Sequence, residues 1–251
     1  MKLSFPRDAS FSQGDHRCRG VVLRRREGSG KSQELLLFLS SFGATWASAP
    51  GADGSRNRFG AGTEPMMWGE FRLYQSPRRL YLKEVDVRED FWGVRGSKNA
   101  LRSAVRWCGE LAARLMPGVE SDPLLSLFWG SMRNLANGLD PRLIDIRFVW
   151  RWGNLWGVAP SLGFCSSCGR PVEGEGAALS SDGLLCESCF YGKDSDGYES
   201  RRHRPLSAQT LLTVESAVSL PRDRFSAWAS SGPLFDPAEL SELASWLYSF
   251  L

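Results

Sequence analysis

The sequence predicts an α+β protein in which a small β-barrel or sandwich precedes an α-helical domain that carries a four-cysteine metal site. Three observations predict this fold: five short apolar segments separated by glycine and proline turns, a change to helical periodicity after residue 87, and two Cys-x-x-Cys pairs. The 251 residues, 42% of them hydrophobic, suffice for two domains. We therefore expect one domain at residues 1–87 and a second at 88–251, with a metal-binding insertion at about 160–192.

Apolar segments and turns alternate throughout the first domain. The candidate strands are residues 18–26, 34–41, 44–49, 66–75 and 79–87. Alternation is clearest at 71–74 and 80–87, where one face can enter a core while the other meets water. Five short strands in succession are typical of a small barrel or sandwich.

The stretch GSGKS at residues 28–32 ends like a phosphate-binding loop. Such a loop needs another glycine five residues before Gly30, and that position is Arg25. It also has to follow a buried strand and open a helix, whereas here a basic segment precedes it and an apolar strand follows. We predict instead the turn of a hairpin, with glycines supplying positive φ and Lys31 at an exposed tip.

Helical patterns dominate the second domain. Apolar residues recur every three or four positions in residues 97–116. Further helices should begin where an aspartate cap precedes a proline. These aspartates are Asp122, Asp140 and Asp236. Glu239, three residues after the last cap, adds the pattern of a capping box. Residues 143–152 also alternate like a strand, but the start pattern just before them favours a helix.

Four of the six cysteines form the pairs Cys165-Ser-Ser-Cys168 and Cys186-Glu-Ser-Cys189. Two residues between thiolates let a tight turn present both sulfurs to one ion, and two such turns complete a tetrahedron. This spacing indicates a structural Zn²⁺ site, since four protein ligands leave no open position. A redox dithiol or an iron–sulfur cluster are the alternatives. Cys18 and Cys108 are expected to be ordinary buried thiols.

The sequence offers few groups for catalysis. His16 and His203 are the only histidines, and neither stands in an arrangement with serine or cysteine that suggests a nucleophile. The sequence patterns of zinc proteases and serine hydrolases are absent. We therefore expect no catalytic residues and no enzymatic activity.

The basic residues of the chain are concentrated in its N-terminal part. Residues 1–85 hold 14 Lys and Arg against 8 Asp and Glu, whereas the rest of the chain holds 17 against 20. Such an imbalance is typical of proteins that bind a polyanion, although an arginine-rich solvated surface would give the same count. The candidate DNA-binding residues are Arg24, Arg25, Arg26, Lys31, Arg56, Arg58, Arg72, Arg78 and Arg79.

Aromatic residues are interleaved with these basic residues. They are Trp46, Phe59, Trp68, Phe71, Tyr74 and Tyr81. A groove that attracts phosphates with arginine while bases stack on aromatic rings is how small barrels hold single-stranded DNA. Most of these rings could instead belong to the core of the barrel, and the sequence leaves both interpretations open.

Nothing in the sequence suggests a membrane protein. No apolar run reaches the eighteen or so residues that cross a bilayer, and residues 1–10 lack the apolar stretch of a signal peptide. Cysteines grouped for a metal fit a reducing compartment. We expect a soluble protein of the cytoplasm.

The chain resembles the bacterial recombination mediator family RecO. The similarity rests on RGVVL at residues 19–23, ELLLFLSSFG at 34–43 and WGNLWGVAPSLGFCSSCG at 152–169, followed by the second cysteine pair. It spans nearly the whole chain. After its third strand the family usually has Ala-Arg-Gly with further basic residues, where this chain has Ala49-Pro50-Gly51 and only later Arg56 and Arg58.

The resemblance implies an N-terminal OB-fold, a helical domain with a zinc module, and no catalytic turnover. It also implies a DNA repair and recombination protein of the RecFOR pathway, nucleoid-associated in the bacterial cytoplasm. Such a protein binds single- and double-stranded DNA, anneals complementary strands, and works with RecR to replace single-strand-binding protein by RecA. The family docks the acidic tail of single-strand-binding protein on its helical domain. Basic candidates for that contact are Arg102, Arg106 and Arg133.

Two other functions remain open from the residues themselves. A zinc-stabilised adaptor would bind another protein through its helical domain and would have no affinity for DNA. A nucleotide hydrolase would require the residues 28–32 to bind a triphosphate after all. A measurement of DNA affinity distinguishes the adaptor from a DNA-binding mediator. A measurement of triphosphate binding tests the nucleotide hydrolase.

Overall fold

The structure is a computed structural model that describes residues 12–53, 57–172, 177–192 and 205–251. The chain forms two compact units, Met1–Ala136 and Asn137–Leu251. Among the helices described, none combines the length and apolar character needed to cross a membrane.

The first unit is built on five strands that close into a barrel. They are β1 (Gly14–Glu27), β2 (Ser32–Leu39), β3 (Gly43–Pro50), β4 (Trp68–Gln75) and β5 (Leu80–Glu89). Their order around the barrel is β1-β2-β3-β5-β4, with β4 pairing back to β1 and a parallel contact between β3 and β5. This is the five-stranded Greek-key barrel of an OB-fold. All five predicted strands are confirmed.

The hairpin at residues 28–32 is confirmed. The Gly28 N–H donates to the Ser32 carbonyl at 3.0 Å, and Lys31 is exposed at the tip. Only Gly30 uses a positive φ, of 69°, so the expectation that both glycines need it was wrong. Gly28 is required by space instead, because a Cβ there would lie 2.6 Å from the Ser32 Oγ.

Three helices belong to the same compact unit as the barrel. They are α1 (Trp92–Arg95), α2 (Lys98–Arg114) and α3 (Asp122–Ala136). The unit therefore extends beyond the boundary predicted at residue 87. The reason lies in β1 and β2, where Val21 and Phe38 face away from the barrel interior and are still fully buried. Helices α2 and α3 pack against these two strands and cover that face.

The second unit surrounds a long central helix. Its elements are α4 (Pro141–Trp156), β6 (Ala177–Ser180), β7 (Gly183–Leu185), α5 (Glu187–Gly192), β8 (Pro205–Leu206), α6 (Ala208–Ser219), α7 (Arg222–Ser230) and α8 (Pro237–Tyr248). Residues 143–152 lie within α4, so the prediction of a helix there is confirmed. Helix α4 packs against α6 and α8 and buries Ile144, Phe148 and Trp152. The four-helix prediction lacked α5, α6 and α7 of this unit, and α1 of the first.

Two arginines of α4 cap the C-terminal end of α6. Arg147 donates to the Ala217 carbonyl, and Arg151 donates to the carbonyls of Val218 and Leu220 at 3.1 and 2.8 Å. These carbonyls lack partners within their own helix, and the end of a helix favours positive charge. Burial, assisted by the nearby Arg151 charge, lowers the pKa of Arg147 to about 10. The pair therefore fixes α6 against α4.

Asp140 and Asp236 form their predicted caps, whereas Asp122 lies within α3 and its carboxylate accepts from the Ser41 N–H at 2.7 Å. Asp236 caps α8 by accepting from the Ala238 N–H at 2.7 Å. Glu239 was expected to complete a capping box within α8, but its carboxylate accepts from the N–H and hydroxyl of Ser207. Since Ser207 is itself the cap of α6, Glu239 joins the starts of two helices.

Removing the Asp140 cap should destabilise the protein above about pH 4. Burial raises the pKa of Asp140, but hydrogen bonds from the Arg142 side chain and backbone outweigh it and hold the pKa below 3.8. The ionised Asp140 side chain therefore contributes fully to the free energy of unfolding above the pKa it has in the unfolded chain. That contribution is lost as the pH falls through the lower pKa of the folded protein. We expect Asp140→Ala to lower the free energy of unfolding at pH 7 by about 1 kcal/mol.

Urea unfolding at pH 7 and at about pH 3 measures this effect. Asp140→Asn is the matched control, because it keeps the capping acceptor and removes the charge. The cap has no such role if Asp140→Ala is as stable as the parent protein at pH 7, or if its deficit does not shrink in acid.

Candidate nucleic-acid interface and metal centre

The basic end of β1 presents alternate arginines on the outside of the barrel. Arg24 lies opposite Leu36 and Arg26 opposite Glu34 in the pairing with β2. Leu35 and its alternate neighbours belong to the interior core, so Leu36, Glu34 and their partners face outward. The guanidinium of Arg26 lies over the Trp46 ring at 4.1 Å, and Arg24 is exposed.

The other predicted DNA-binding residues near this surface differ in their partners. Arg25 forms an ion pair with Glu64, and Arg79 lies 3.6 Å from the Glu34 carboxylate. The Arg58 guanidinium donates to the Lys83 carbonyl at 2.8 Å. Lys31 and Arg78 are exposed in turns. Within the described ranges, neither of them nor Arg24 has a salt bridge. Arg56 lies outside the described residues.

Arg72 lies on a different, charge-balanced part of the barrel, formed by β1, β4 and β5. It is bracketed by Asp15 at 3.8 Å and Glu84 at 3.6 Å. On the same strands Arg17 pairs with Glu70 at 3.4 Å, and Arg88 pairs with Asp86 at 2.8 Å. Each arginine here already has a carboxylate, so Arg72 is less available to a phosphate than Arg24 or Lys31.

The aromatic residues divide into interior and exterior groups. Phe59 and Phe71 belong to the core of the barrel. Trp46, Tyr74 and Tyr81 are half-buried on its outer face. Trp68 packs on Trp129 of α3, with ring centroids 6.2 Å apart. The core interpretation is therefore confirmed for Phe59 and Phe71, and base stacking stays a prediction for the rings on the outer face.

The partner-binding candidates lie on α2 and α3. Arg102 is exposed and Arg106 half-buried on α2, while Arg133 on α3 lies 5.0 Å from the Trp129 ring. A groove of about 540 Å³ runs between α2, the end of β1 and the loop before β4. Apolar and small residues form its floor and arginines part of its rim. Its lining includes Arg24, Arg25, Arg95, Leu101, Val105 and Gly109.

No contact in the described part of the chain requires a glycine at position 109. A Cβ added to Gly109 would have no atom within 4 Å, apart from its own helix and chain neighbours. A glycine inside a helix costs about 1 kcal/mol relative to alanine. Gly109 lines the groove beside α2, where a side chain would have open space.

The first cysteine pair lies in a tight turn after α4. The Cys165 N–H donates to the Arg170 carbonyl, and the Gly169 N–H donates to the Cys165 carbonyl, both at 2.9 Å. Gly169 has a φ of 71°, which a residue with a side chain adopts only with strain. The turn therefore points the two sulfurs of this pair to the same side.

The second pair lies at the start of α5, directly after the hairpin of β6 and β7. The N–H groups of Cys189 and Phe190 donate to the Cys186 carbonyl at 3.0 and 2.9 Å. The Ser166 N–H donates to the Leu184 carbonyl at 2.7 Å and so ties the first turn to this hairpin. Gly183 is needed at this contact, because a Cβ would lie 3.0 Å from that of Ser166.

The four sulfurs form a cluster that fits a tetrahedral ion. All four Sγ atoms lie within 4.8 Å of one another, and those of Cys168 and Cys186 are 3.7 Å apart. Four thiolates at about 2.3 Å from one ion would be separated by about 3.8 Å. All four cysteines are free of disulfide bonds. The arrangement can therefore hold a metal ion through four sulfur ligands.

The electrostatics of the cluster favour thiolate at one position. The Arg170 side chain donates to the Cys168 Sγ at 3.4 Å and lowers the pKa of that thiol to about 6. Hydrogen bonding to Cys168 raises the pKa of Cys189 to about 11. Burial raises the pKa of Cys108, outside the cluster, to about 12. Cys18 and Cys108 are buried, as predicted.

Fold and site together define a class of protein: an OB-fold barrel joined to a helical domain with a four-cysteine metal site. Residues 102–228, half of the chain, match the family described as Recombination protein O C terminal. The chain belongs to the RecO family, as its sequence resemblance indicated.

Three relatives match longer stretches of the chain than the family description does. The chain is 28% identical over 209 residues to a DNA repair protein RecO of Rubrobacter xylanophilus, covering 82% of each chain. It is 29% identical over 178 residues to that of Thermobifida fusca, covering 69% of this chain and 73% of the relative. The protein of the same name from Listeria monocytogenes is 25% identical over 207 residues, 82% of this chain and 79% of the relative.

Sequence reasoning missed two residues of these surfaces. Arg170 follows the first cysteine pair directly, and a basic residue beside thiolates could have indicated its role. Lys83 lies 5.1 Å from the Tyr74 ring, where a β-bulge between β4 and β5 leaves it without a paired residue. Bulges depend on the pairing of two strands, so the sequence of one strand could not have revealed this position.

Proposed function

We propose that the protein is a DNA-binding mediator of recombination and repair. In this role it binds single- and double-stranded DNA, anneals complementary strands, and with RecR helps replace single-strand-binding protein by RecA. It acts in the bacterial cytoplasm on the chromosome and performs no catalytic turnover. The observation that carries the proposal is the membership of the RecO family, whose relatives are named DNA repair proteins. The exposed arginines on the outer face of the barrel support it.

The polyanion-binding surface comprises the end of β1 and the nearby turns. Arg24, Arg26, Lys31 and Arg78 form its centre, because their charges are exposed or stacked on an aromatic ring. Arg25 and Arg79 lie beside them and would exchange their present carboxylate contacts for phosphate, and Arg58 would add a contact near Lys83. A surface of this kind attracts DNA irrespective of its sequence.

The ion held by the four cysteines is proposed to be structural zinc. Four thiolates at tetrahedral spacing suit Zn²⁺ and leave no position for water or substrate. Bound zinc would hold the first cysteine turn to the β6–β7 hairpin and α5. Its contribution would be to the folding of the second unit, since unfolded cysteines bind metal poorly.

The groove beside α2 is proposed to receive a protein partner, with the acidic tail of single-strand-binding protein as the candidate. Its apolar floor, its arginine rim and the open position at Gly109 suit an amphipathic acidic segment. Arg102 and Arg106 lie on the same helix and could add charge pairing, and Arg133 on α3 is a further candidate.

DNA binding that weakens steeply with salt is the first expected result. Phosphate contacts release counterions, so a plot of log affinity for a single-stranded oligonucleotide against log salt concentration should be a falling straight line. Each phosphate contact should contribute about −0.7 to its slope. Fluorescence anisotropy across a salt series measures this slope. An adaptor without DNA affinity would show no binding even at low salt, and that result would overturn the proposal.

The mediator role requires one further assay. Annealing of complementary strands coated with single-strand-binding protein should be faster with this protein than without it. If the protein binds DNA but does not accelerate annealing, the proposed DNA-binding surface stands and the proposed mediator role is contradicted.

A further inference from the structure

We infer that Trp46, Tyr81 and Tyr74 form a track on which unpaired bases stack, and that this track makes the barrel prefer single-stranded DNA. The inference rests on the proposed DNA-binding function and adds to it the chemical group recognised and the three side chains that recognise it. These residues are called the aromatic track below.

The register of the barrel brings the three rings onto one outer face. Tyr81 of β5 pairs with Tyr74 of β4 on one side and with Ser48 of β3 on the other. Trp46 lies two residues from Ser48 on the same face of β3. Neighbouring strands are about 4.8 Å apart, so the track crosses three adjacent strands, with Ser48 on β3 lying beside Tyr81 and Trp46 two residues further along β3.

The rings of the track are not needed for the core of the barrel. The neighbours of Tyr74 and Tyr81, namely Leu73, Leu80 and Leu82, fill the interior. The three track rings are half-buried at the surface, where an aromatic side chain leaves apolar area in contact with water. Stacking on a base would remove that area from water, which is the main reason such contacts are stable.

Positive charge accompanies both ends of the track. Arg26 lies 4.1 Å from the Trp46 ring at one end, and Lys83 lies 5.1 Å from the Tyr74 ring at the other. The bulge at Lys83 places this lysine and the next residue, Glu84, on the outer face together. Arg58 donates to the Lys83 carbonyl and adds a third positive charge at that end.

This combination favours single strands over duplexes. Cations attract the phosphates of either form, but only a single strand has bases free to stack on a protein ring. The negative charge on this surface is limited in effect, because Glu34 is paired with Arg79 and Glu84 with Arg72. The arginines thus supply attraction and the track supplies the discrimination between strand forms.

Leucine substitutions in the track test the inference. We expect Trp46→Leu, Tyr74→Leu and Tyr81→Leu each to weaken binding of oligothymidylate by roughly five- to 100-fold. The salt slope should not change, because no phosphate contact is lost. Affinity for duplex DNA should stay within about twofold of the parent protein, and the phenylalanine variants at these positions should bind like the parent.

The matched control is Trp92→Leu, because Trp92 is a 73% exposed aromatic residue on α1, outside the three strands of the track. It should leave single-strand affinity unchanged. A second measurement uses the unaltered protein: an abasic oligonucleotide of the same length, which loses stacking on all three rings, should bind at least about 100-fold more weakly than oligothymidylate. This measurement tests base stacking on the aromatic track even if a leucine variant fails to fold.

Equal affinity for abasic and normal strands would overturn the aromatic track, and so would equal losses on single-stranded and duplex DNA. In either case a steep salt dependence of the parent protein would leave the proposed DNA-binding function standing. Absence of any DNA binding would instead remove both. The two failures are therefore distinguishable in the same set of titrations.

Discussion

Replacing Cys186 by serine is expected to abolish tight zinc binding and to destabilise the second unit. Serine removes one of four sulfur ligands whose atoms all lie within 4.8 Å of one another. Three thiolates and an un-ionised hydroxyl bind Zn²⁺ far more weakly. Metal content should fall from about one equivalent to below about 0.1, and the free energy of unfolding should fall by about 3 kcal/mol or more.

The physical reason for the large effect is the position of the cysteine pairs. The first pair follows α4 and the second opens α5, and the contacts joining them are a few hydrogen bonds around Ser166 and Leu184. Without the ion, the thiolate at Cys168, whose pKa lies at about 6, would stand beside other sulfurs with little compensation beyond Arg170. Residues near the cluster should then become accessible to proteolysis first.

Elemental analysis, thermal unfolding and limited proteolysis measure the three consequences. Cys108→Ser is the matched control, since Cys108 is buried at 5% exposure in α2 and lies outside the cluster. It should lose some stability while keeping a full equivalent of zinc. A parent protein purified with zinc available and without oxidation, yet holding less than about half an equivalent, would contradict the zinc assignment.

The sequence predicted the elements whose determinants are local. Alternation located the strands of the barrel, aspartate before proline located the starts of α4 and α8, and cysteine spacing located the cluster. Each of these patterns acts within a few residues, so a single chain segment contains the information.

Features that depend on distant partners could not be predicted. Glu239 matches a capping box, but Ser207 offers it both an N–H and a hydroxyl, and that partner is 32 residues away. The sequence of β2 is apolar on both faces, which predicts that both faces are buried. It does not predict that α2 and α3 pack against the outer face of the barrel there. Which aromatic residues face outward depended on the register of β3, β5 and β4.

Charge removal on the barrel is expected to show that position, and not the number of arginines, controls DNA affinity. The variant Arg24→Ala/Arg26→Ala/Lys31→Ala removes three exposed cations from the end of β1 and its turn. Each lost phosphate contact should lower the salt slope for single-stranded DNA by about 0.7. Affinity at low salt should fall by at least about 100-fold, irrespective of the DNA sequence.

The matched variant removes the same charge elsewhere. Arg17→Ala/Arg88→Ala/Arg224→Ala leaves Arg24, Arg26 and Lys31 intact. Arg17 and Arg88 are already paired with carboxylates, and Arg224 is exposed on α7. Exposed ion pairs contribute little to stability, so this variant should fold normally. Its net charge falls as much as that of the first variant, and nonspecific attraction would therefore weaken DNA binding equally in both. A local interface predicts that the first loses most of its affinity while the second stays within about fivefold of the parent. Equal losses would remove the β1 surface from the proposal and leave only a diffuse electrostatic attraction.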